Sequence, residues 1–303
     1  MRIVISGAHG LVGSTLVKHF LNENHDVFCL VRNPLEVFSD QQILLDIKNK
    51  TIEDDRLEGA DIVIHLAGAN IASKRWSKKY KTQILDSRLT STQIIAKALA
   101  QLKNPPKLFL CASAVGYYGN QWNDEPITES ACKGNGFLSD VCDLWEKSTF
   151  PAKNAGIRTI NLRFGAILSK KSGALAKMLI PFRLGLGGRV GDGFQYFSWI
   201  SIEEIPGIID FITKNEKISG PVNVVSPELV QNHEFTRLLA HELNQPAFIP
   251  MPATIVRLVF GEMGESILLG GANVVPQKLI DHKYPFKYPL LGAALKSLLG
   301  NSK

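Results

Sequence analysis

The chain has 303 residues, 45% of them hydrophobic and 20% charged, and its formal net charge is +6. This composition predicts a large hydrophobic core in one elaborated α/β domain or in two lobes. The positive net charge suits an anionic ligand, whereas the interleaving of basic and acidic residues along the chain argues against a nucleic-acid module. Four cysteines without metal-ligand spacing indicate a reducing compartment and no metal site. No apolar run reaches the ~20 residues that cross a bilayer, so we expect a cytoplasmic protein without membrane partners.

The first apolar segment leads directly into a glycine-rich turn and then into a helical pattern. Glycine tolerates unusual dihedrals and lets the backbone approach a pyrophosphate, and the N-terminus of the following helix favours anions. The order of strand, glycines and helix therefore predicts a dinucleotide site. The residues that we assign to it are Gly7, His9, Gly10, Leu11, Val12 and Gly13. His9 is an exposed position of the turn to which no chemistry is assigned.

Arg32 follows the second apolar segment, at the distance where NAD-binding chains carry an acidic residue for the ribose 2′-hydroxyl. No Asp or Glu occupies this strand end. Arginine can instead form a bidentate pair with a 2′-phosphate and stack on the adenine, which favours NADP(H) over NAD(H). The alternative is a solvated surface arginine.

Apolar β-type segments alternate with segments of helical character over the first half of the chain. Strands are predicted at 2–6, 26–31, 42–47, 61–66, 107–112 and 157–163, and helices at 78–102 and 137–153. This alternation predicts an α/β fold whose strands form a Rossmann-type, doubly wound parallel sheet.

The strict alternation ends near residue 172. Glycine-rich turns, an apolar segment at 197–202, helices near 203–214 and 232–243, and short helices after residue 250 follow. We predict a Rossmann domain over 1–171, to which the segment at about 195–230 returns. The other segments are predicted to form a smaller mixed substrate lobe over 172–249 and a helical C-terminal domain over 250–303.

Short motifs spread over the chain resemble those of known proteins. The opening glycines, His65-Leu-Ala-Gly68, Ala112-Ser-Ala-Val-Gly-Tyr-Tyr-Gly119 and Leu162-Arg-Phe-Gly165 resemble extended short-chain dehydrogenases/reductases. Ile71-Ala-Ser-Lys-Arg-Trp76, Pro181-Phe-Arg-Leu-Gly-Leu-Gly-Gly188 and Leu268-Leu-Gly-Gly271 are similar to an atypical, YfcH-like branch of the NAD-dependent epimerase/dehydratase family. That branch has a C-terminal domain of unassigned function.

The resemblance implies roles for further residues in binding NADP(H). Arg32 would hold the adenosine phosphate, and Asp46 and Ile47 would lie at the adenine. Ala67, Gly68 and Ala69 would lie along the nicotinamide ribose, where small residues let the cofactor pass close to the strand end. The alternative for Asp46 is that it only ends a strand, and for Ala67 and Gly68 that they form an ordinary turn.

The catalytic pair of the family is missing. Extended short-chain enzymes carry a tyrosine and, four positions later, a lysine on the helix that here begins near Phe137. The tyrosine exchanges a proton, and the lysine lowers its pKa and holds the ribose. Alignment on the acidic residue Glu146 places Leu138 at the tyrosine position and Cys142 at the lysine position. Neither side chain can replace the residue it stands for, which leaves open whether the chain is a catalyst.

Three polar residues near the expected cleft are the remaining catalytic candidates. Ser113 stands where the serine of the family hydrogen-bonds a substrate carbonyl or hydroxyl, and Tyr117 and Tyr118 follow it. A phenol with a pKa near 10 needs a nearby positive charge to act as a base at neutral pH. The alternative is that both tyrosines only line the cleft and stack on nicotinamide or substrate.

Two further segments are candidates for binding substrate. The stretch 183–193 is rich in glycine and carries Arg183 and Arg189, which suits an anion-binding loop. Arg75 and Trp76 follow the fourth strand and so project near the carboxyl ends of the sheet. The alternatives are a flexible hairpin with solvated arginines, and a Trp76 that only packs.

Two hypotheses of different classes follow. The first is an NADP(H)-dependent oxidoreductase or epimerase-like enzyme for a small polar substrate, in which Ser113 and the cofactor set the geometry. Its proton would come from Tyr117 or Tyr118, from water, or from the substrate. The second is a catalytically silent NADP(H)-binding sensor that signals through its C-terminal domain. A strict nucleotide-sugar epimerase ranks third, because that reaction relies on the missing tyrosine. The helices beside a sheet of this kind can also form a homodimer interface.

Overall fold

The apolar segments of the sequence form the strands of the main sheet. The structure is a computed structural model that describes residues 1–33, 40–52, 54–121 and 124–300. The strands are β1 (Arg2–Ser6), β2 (Asp26–Val31), β3 (Gln42–Asp46), β4 (Thr51–Ile52), β5 (Ile62–His65), β6 (Leu108–Ala114), β7 (Arg158–Phe164), β8 (Ala166–Leu168), β9 (Trp199–Ser201) and β10 (Gly220–Val224). Every strand predicted between residues 2 and 163 is confirmed within two residues at each end, the largest difference being at 107–112, which runs on to 114.

Within the described ranges the main sheet has eight strands in the order β10-β7-β6-β5-β1-β2-β3-β4. All neighbouring strands are parallel except β3 and β4. Val4 of the central strand β1 lies opposite Phe28 on one side and Val63 on the other, and Val4 is fully buried. Helices cover both faces of a parallel sheet, so its strands are apolar on both sides. The predicted doubly wound parallel sheet is confirmed.

Helices of very different lengths accompany the strands. They are α1 (Leu11–Asn22), α2 (Lys78–Gln101), α3 (Phe137–Lys147), α4 (Phe150–Asn154), α5 (Gly173–Arg183), α6 (Ile205–Lys214), α7 (Asn232–Glu242), α8 (Ala253–Phe260), α9 (Glu262–Ile267), α10 (Gln277–Asp281) and α11 (Leu291–Leu299). α1 packs with α6, and α2 packs with α3 and α4, as the two helical layers of a doubly wound fold. Among the helices described, none combines the length and the apolarity needed to cross a membrane.

The single helix predicted over 137–153 is wrong, because the chain forms two helices there. The hydroxyls of Ser148 and Thr149 donate to the carbonyls of Leu144 and Glu146, at 2.8 and 2.7 Å. Pro151 has no N–H and cannot continue the helical hydrogen-bond ladder. The break after Lys147 follows from these local effects.

The second half of the chain adds a strand to the main sheet and forms a small sheet of its own. The apolar segment 197–202 contains β9, which pairs in parallel with β8 in a separate two-stranded sheet. β10, which was not predicted, adds to the main sheet beside β7. The last residues of the predicted C-terminal domain, 301–303, lie outside the described residues.

Hydrogen bonds join the segment after residue 250 to the rest of the chain. Glu204 is 1% exposed and accepts from the Tyr284 hydroxyl at 2.6 Å and from the N–H groups of Lys287 and Tyr288 at 3.0 and 2.8 Å. A second connection runs along 271–275, which exchanges backbone hydrogen bonds with Gln121 and Ile127. The C-terminal helices are therefore anchored through polar contacts as well as apolar ones.

A buried histidine connects β1, β5 and α2. Nδ1 of His65 lies 2.5 Å from Oγ of Ser6, and Nε2 lies 3.2 Å from Oγ of Ser91. Ser91 already donates its proton to the carbonyl of Ser87 at 2.8 Å, so the Nε2–H of a neutral imidazole donates to Ser91 and Nδ1 accepts from Ser6. Burial lowers the pKa of His65 to about 3.

We expect His65 to make the protein less stable in mild acid. In the unfolded chain His65 is protonated near pH 6.5, whereas in the folded chain it is protonated only near pH 3. The free energy of unfolding therefore falls as the pH drops through this window. At ~1.4 kcal/mol per pH unit, His65 should remove about 2 kcal/mol between pH 7.5 and pH 5. Urea unfolding at several pH values in this range measures the free energy of unfolding of the wild type and of His65→Gln. If the two free energies change equally with pH, the prediction is wrong.

Candidate functional site

The candidate site lies at the carboxyl ends of the parallel strands. The strand order reverses between β1 and β5, and open α/β sheets bind ligands in the crevice outside such a reversal. Arg32, Gly7, Ala67 and Ser113 lie at the ends of β2, β1, β5 and β6, which are consecutive neighbours. Three inter-strand spacings of about 4.8 Å separate the first of these strands from the last, ~14 Å in all. The predicted cofactor residues and the predicted catalytic serine therefore share one edge.

The glycine turn after β1 leaves no room for a side chain at Gly7 or Gly13. Gly7 has φ +70°, in the region that favours glycine. A Cβ on Gly13 would lie 2.2 Å from the carbonyl oxygen of Gly7, and the N–H of Gly10 donates to that same oxygen at 2.9 Å. His9 and Gly10 are exposed at the N-terminus of α1. This cradle fits the phosphates of a dinucleotide, whose charge the N–H groups and the helix dipole favour.

The loop after β5 borders the glycine turn. A Cβ on Gly7 would lie 3.0 Å from the backbone nitrogen of Ala67, so the two loops touch. Gly68 is exposed, and Ala69 is half-buried, as are the other two residues assigned to the turn, Leu11 and Val12. The small residues predicted along the nicotinamide ribose thus lie directly beside the predicted phosphate site.

The residues predicted at the adenosine end of the cofactor have different surroundings. Arg32 is exposed directly after β2 and is free to reach a ligand at this edge. Asp46 instead accepts from the backbone N–H and the side-chain amide of Asn49, at 2.9 and 2.8 Å. These hydrogen bonds lower the pKa of Asp46. Asp46 therefore holds the turn between β3 and β4, the alternative that the sequence left open, while Ile47 beside it is half-buried.

Ser113 is the first member of a buried polar network. Its hydroxyl donates to Oε1 of Glu146 at 2.7 Å. Arg163 of β7 clamps the same carboxylate with two N–H groups, each at 2.8 Å, and its side chain is only 3% exposed. Burial lowers the pKa of Arg163, but the hydrogen bonds to Glu146 outweigh this and raise it above its usual range. Because the proton of Ser113 points to Glu146, its oxygen can act only as an acceptor, and the Cys142 thiol also lies within its reach.

The two tyrosines after β6 lie in different surroundings. Tyr118 is fully buried, receives a hydrogen bond from Nη1 of Arg163 and donates to Asn223, at 2.8 and 2.7 Å. Burial raises the pKa of Tyr118 to about 12. These contacts do not fit its predicted role as a proton donor or a cleft-lining ring, and they make it a structural member of the network. Tyr117 is half-buried, with its ring centroid 3.5 Å from Cζ of Arg163, and it is the tyrosine that remains a catalytic candidate.

Leu138 and Cys142 occupy the places expected from the alignment on Glu146. A Cβ on Gly116, in the short turn that follows β6, would lie 3.3 Å from Leu138 Cβ and 3.9 Å from Cys142 Sγ. Both side chains therefore face the segment after Ser113. Burial raises the pKa of Cys142 to about 12, which keeps the thiol neutral. α3 brings no phenol and no positive charge to this point.

The candidate substrate residues after β5 contact other parts of the protein. Trp76 is 8% exposed, donates from Nε1 to the carbonyl of Ile71 at 2.8 Å, and packs edge-on against Phe137. It belongs to a hydrophobic cluster, which favours the packing alternative over a contact with substrate. Arg75 is exposed and lies against Gly261, between α8 and α9.

The arginines of the glycine-rich loop are separated from each other. Arg183 ends α5 and lines a cavity with the ends of α7 and α11. Arg189 lines a different cavity, of about 530 Å³, with His233, Arg237 and Phe248. Arg183 and Arg189 therefore line different cavities, which have Gln245 in common.

Sequence reasoning missed the partners of Ser113. Arg163 was visible only as part of a motif, although a charged residue between Leu162 and Phe164 in a buried strand requires a buried counter-charge. Asn223 lies on the strand that was not predicted, so no signal placed it beside Tyr118. Glu146 was used as an alignment anchor, and its contact with Ser113 was not foreseen.

The fold and the site together define a Rossmann-type protein of the short-chain dehydrogenase/reductase class. Residues 3–137 match the model of the NAD dependent epimerase/dehydratase family, and residues 251–298 match a domain of unknown function, DUF1731. An epimerase family protein of Mycobacterium leprae, ML0860, is 34% identical over 97% of this chain and 94% of its own length.

Solved structures agree with these matches. Human epimerase family protein SDR39U1 (isoform 2), crystallised with NADPH, superposes with a TM-score of 0.89 at 32% identity, over 99% of this chain and all of that one. The nucleoside-diphosphate sugar epimerase of Corynebacterium glutamicum gives a TM-score of 0.81 at 31% identity, over 99% of this chain and 58% of that one. The chain belongs to the NAD-dependent epimerase/dehydratase family and carries the DUF1731 domain at its C-terminal end.

Proposed function

We propose that this protein binds NADP(H) and acts as an oxidoreductase or epimerase-like enzyme on a small polar substrate. The observation that carries the proposal is the shared edge of the sheet, where the glycine turn, Arg32 and Ser113 follow neighbouring strands. The similarity to SDR39U1, which was crystallised with NADPH, supports the choice of cofactor. The four free cysteines support the expectation of a reducing, cytoplasmic compartment.

Each part of the edge has a role in this proposal. The turn from Gly7 to Gly13 would hold the pyrophosphate, and Arg32 the 2′-phosphate of the adenosine. Ala67 and Gly68 would border the nicotinamide ribose. When bound, NADP(H) supplies or accepts a hydride.

Ser113 and its partners would orient the substrate. The serine donates to Glu146, so its oxygen accepts the hydroxyl proton of a substrate and fixes the direction of that hydroxyl. Arg163 holds Glu146 in place and lies over the ring of Tyr117. Tyr117, whose ring centroid lies 3.5 Å from this guanidinium, would be the proton donor.

A specific observation favours the second candidate, the catalytically silent sensor. Leu138 and Cys142 fill the positions of the family's tyrosine and lysine with packed, neutral side chains. The network from Ser113 also extends through Asn223 to the carbonyl of Val275, in the C-terminal domain. Under this alternative, cofactor binding changes a surface that a partner protein recognises. Homodimer formation remains a prediction.

Titration followed by a turnover screen tests the proposal. The wild type should bind NADPH in the micromolar range and NADH more weakly, measured by calorimetry, and no binding of either would overturn both candidate functions. Consumption of NADPH with a panel of small carbonyl compounds then separates enzyme from sensor. Turnover should fall by about 100-fold or more in Ser113→Ala and stay unchanged in Ser130→Ala, a matched change at an exposed site. Binding without turnover would favour the sensor.

A further inference from the structure

A positive charge stands beside the place where the lysine is missing. Arg88 belongs to α2, and its guanidinium Cζ lies 4.9 Å from the ring centroid of Trp145, which is on α3. It is near enough to the Cys142 thiol to act on it electrostatically. The residue at the lysine position is therefore neutral, but the space around it contains a cation that comes from a different helix.

Arg88 is held firmly against the loop after β5. Its Nη1 donates to the carbonyl of Ala69 and to the carbonyl of Ile84, each at 3.0 Å. A Cβ on Gly68 would lie 3.2 Å from the Arg88 Cζ, so the guanidinium forms the wall beneath this exposed glycine. Stacking on an aromatic ring and two carbonyl contacts fix the plane of the side chain.

The guanidinium has donors to spare. In the ranges that the structure describes, no carboxylate pairs with Arg88, and its Nε and Nη2 donate to no protein acceptor. Burial lowers the pKa of Arg88, because removal from water disfavours the charged form. A partly buried cation without a counter-charge is unfavourable for folding alone, so a ligand that accepts hydrogen bonds is the natural partner for its remaining N–H groups.

Gly68 identifies the part of the ligand that would lie there. It follows β5, one strand from the glycine turn, where the proposed function puts the nicotinamide ribose. We propose that Arg88 binds the hydroxyls of that ribose and supplies from α2 the positive charge that extended short-chain enzymes supply from a lysine on the following helix. This inference rests on the proposed binding of NADP(H). It also gives Gly68 a reason to lack a side chain, because a larger residue would stand between the guanidinium and the ribose.

The test compares the whole cofactor with a fragment that lacks the proposed contact. NADPH and adenosine 2′,5′-bisphosphate share the adenosine end, but the fragment has no nicotinamide ribose. For Arg88→Met we expect NADPH to bind about 30-fold more weakly, from the loss of charge-assisted hydrogen bonds, and the fragment to bind within about twofold of wild type. Arg88→Lys keeps the charge and should recover most of the affinity for NADPH. Lys217→Met, which removes an exposed positive charge between α6 and β10, is the control.

The outcomes separate this inference from the proposed function. Equal weakening of NADPH and of the fragment would mean that Arg88 only supports the fold, and unchanged NADPH binding would mean that it makes no contact. Either result overturns the role of Arg88 while leaving NADP(H) binding intact. If the wild type binds NADPH no more tightly than the fragment, the inference is also overturned. Failure of the wild type to bind NADPH or the fragment removes the proposed function itself. If Arg88→Met does not fold, Arg88→Gln, which retains donors without the charge, replaces it.

Discussion

Replacing Arg32 by aspartate is expected to weaken the binding of NADPH about 100-fold and to leave the binding of NADH within about threefold of its wild-type value. Arg32 is exposed at the carboxyl end of β2, where dinucleotide-binding folds contact the adenosine ribose. A bidentate pair between a guanidinium and a 2′-phosphate is lost in the variant, and the new carboxylate repels the phosphate. Without the phosphate, as in NADH, neither effect operates.

Calorimetric titration of both dinucleotides measures this change in preference. Lys217→Asp makes the same change of charge at an exposed residue between α6 and β10, and it should alter neither affinity. Equal weakening of NADPH and NADH would mean that the substitution disturbs the end of β2 rather than a contact with the phosphate. An unchanged affinity for NADPH would place the 2′-phosphate elsewhere.

Replacing Arg163 by methionine is expected to cost about 3–5 kcal/mol in the free energy of unfolding. The side chain is 3% exposed and pairs with a carboxylate that is 12% exposed. Its loss leaves Glu146 buried with the hydroxyl of Ser113 as its remaining donor, and leaves Tyr118 without a partner that donates to its oxygen. An uncompensated charge in such a site is far less favourable than a neutral polar group.

Urea unfolding of a double-mutant cycle checks this account. Glu146→Gln combined with Arg163→Met removes the unpaired charge, so the double variant should regain at least half of the stability that Arg163→Met loses. Arg163→Met within about 1 kcal/mol of wild type would show that water reaches the pair and screens it. Additive losses in the double variant would show that the two residues do not depend on each other.

The sequence was informative where local physics determines the structure. Strong β-type runs such as 2–6 and 107–112 are buried in a parallel sheet, and their composition alone identifies them. The turn from Gly7 to Gly13 could be predicted because the positive φ and the close backbone approach require glycine. Leu138 and Cys142 could be placed because helical spacing fixes them relative to Glu146.

The sequence was less informative where distant parts of the chain meet. β10 is a short strand that begins with glycine and proline, and its place beside β7 depends on tertiary packing. The sequence left open whether Trp76 packs or meets a ligand, and it did not indicate that α3 and α9 would cover the indole. Arg88 lies in the middle of a long polar helix, and only the folded structure shows that it reaches the loop after β5.

The polar network around Ser113 has a consequence for the order in which the protein matures. A ribosome that has synthesised residues 1–224 has made every strand of the described main sheet, including Asn223. The carbonyl of Val275, which accepts from the Asn223 amide, and the carbonyl of Asn273, which accepts from the N–H of Ile127, come some 50 residues later. The sheet can therefore assemble during synthesis, whereas the hydrogen bonds of Asn223 and Ile127 to the C-terminal domain form only after that domain has emerged.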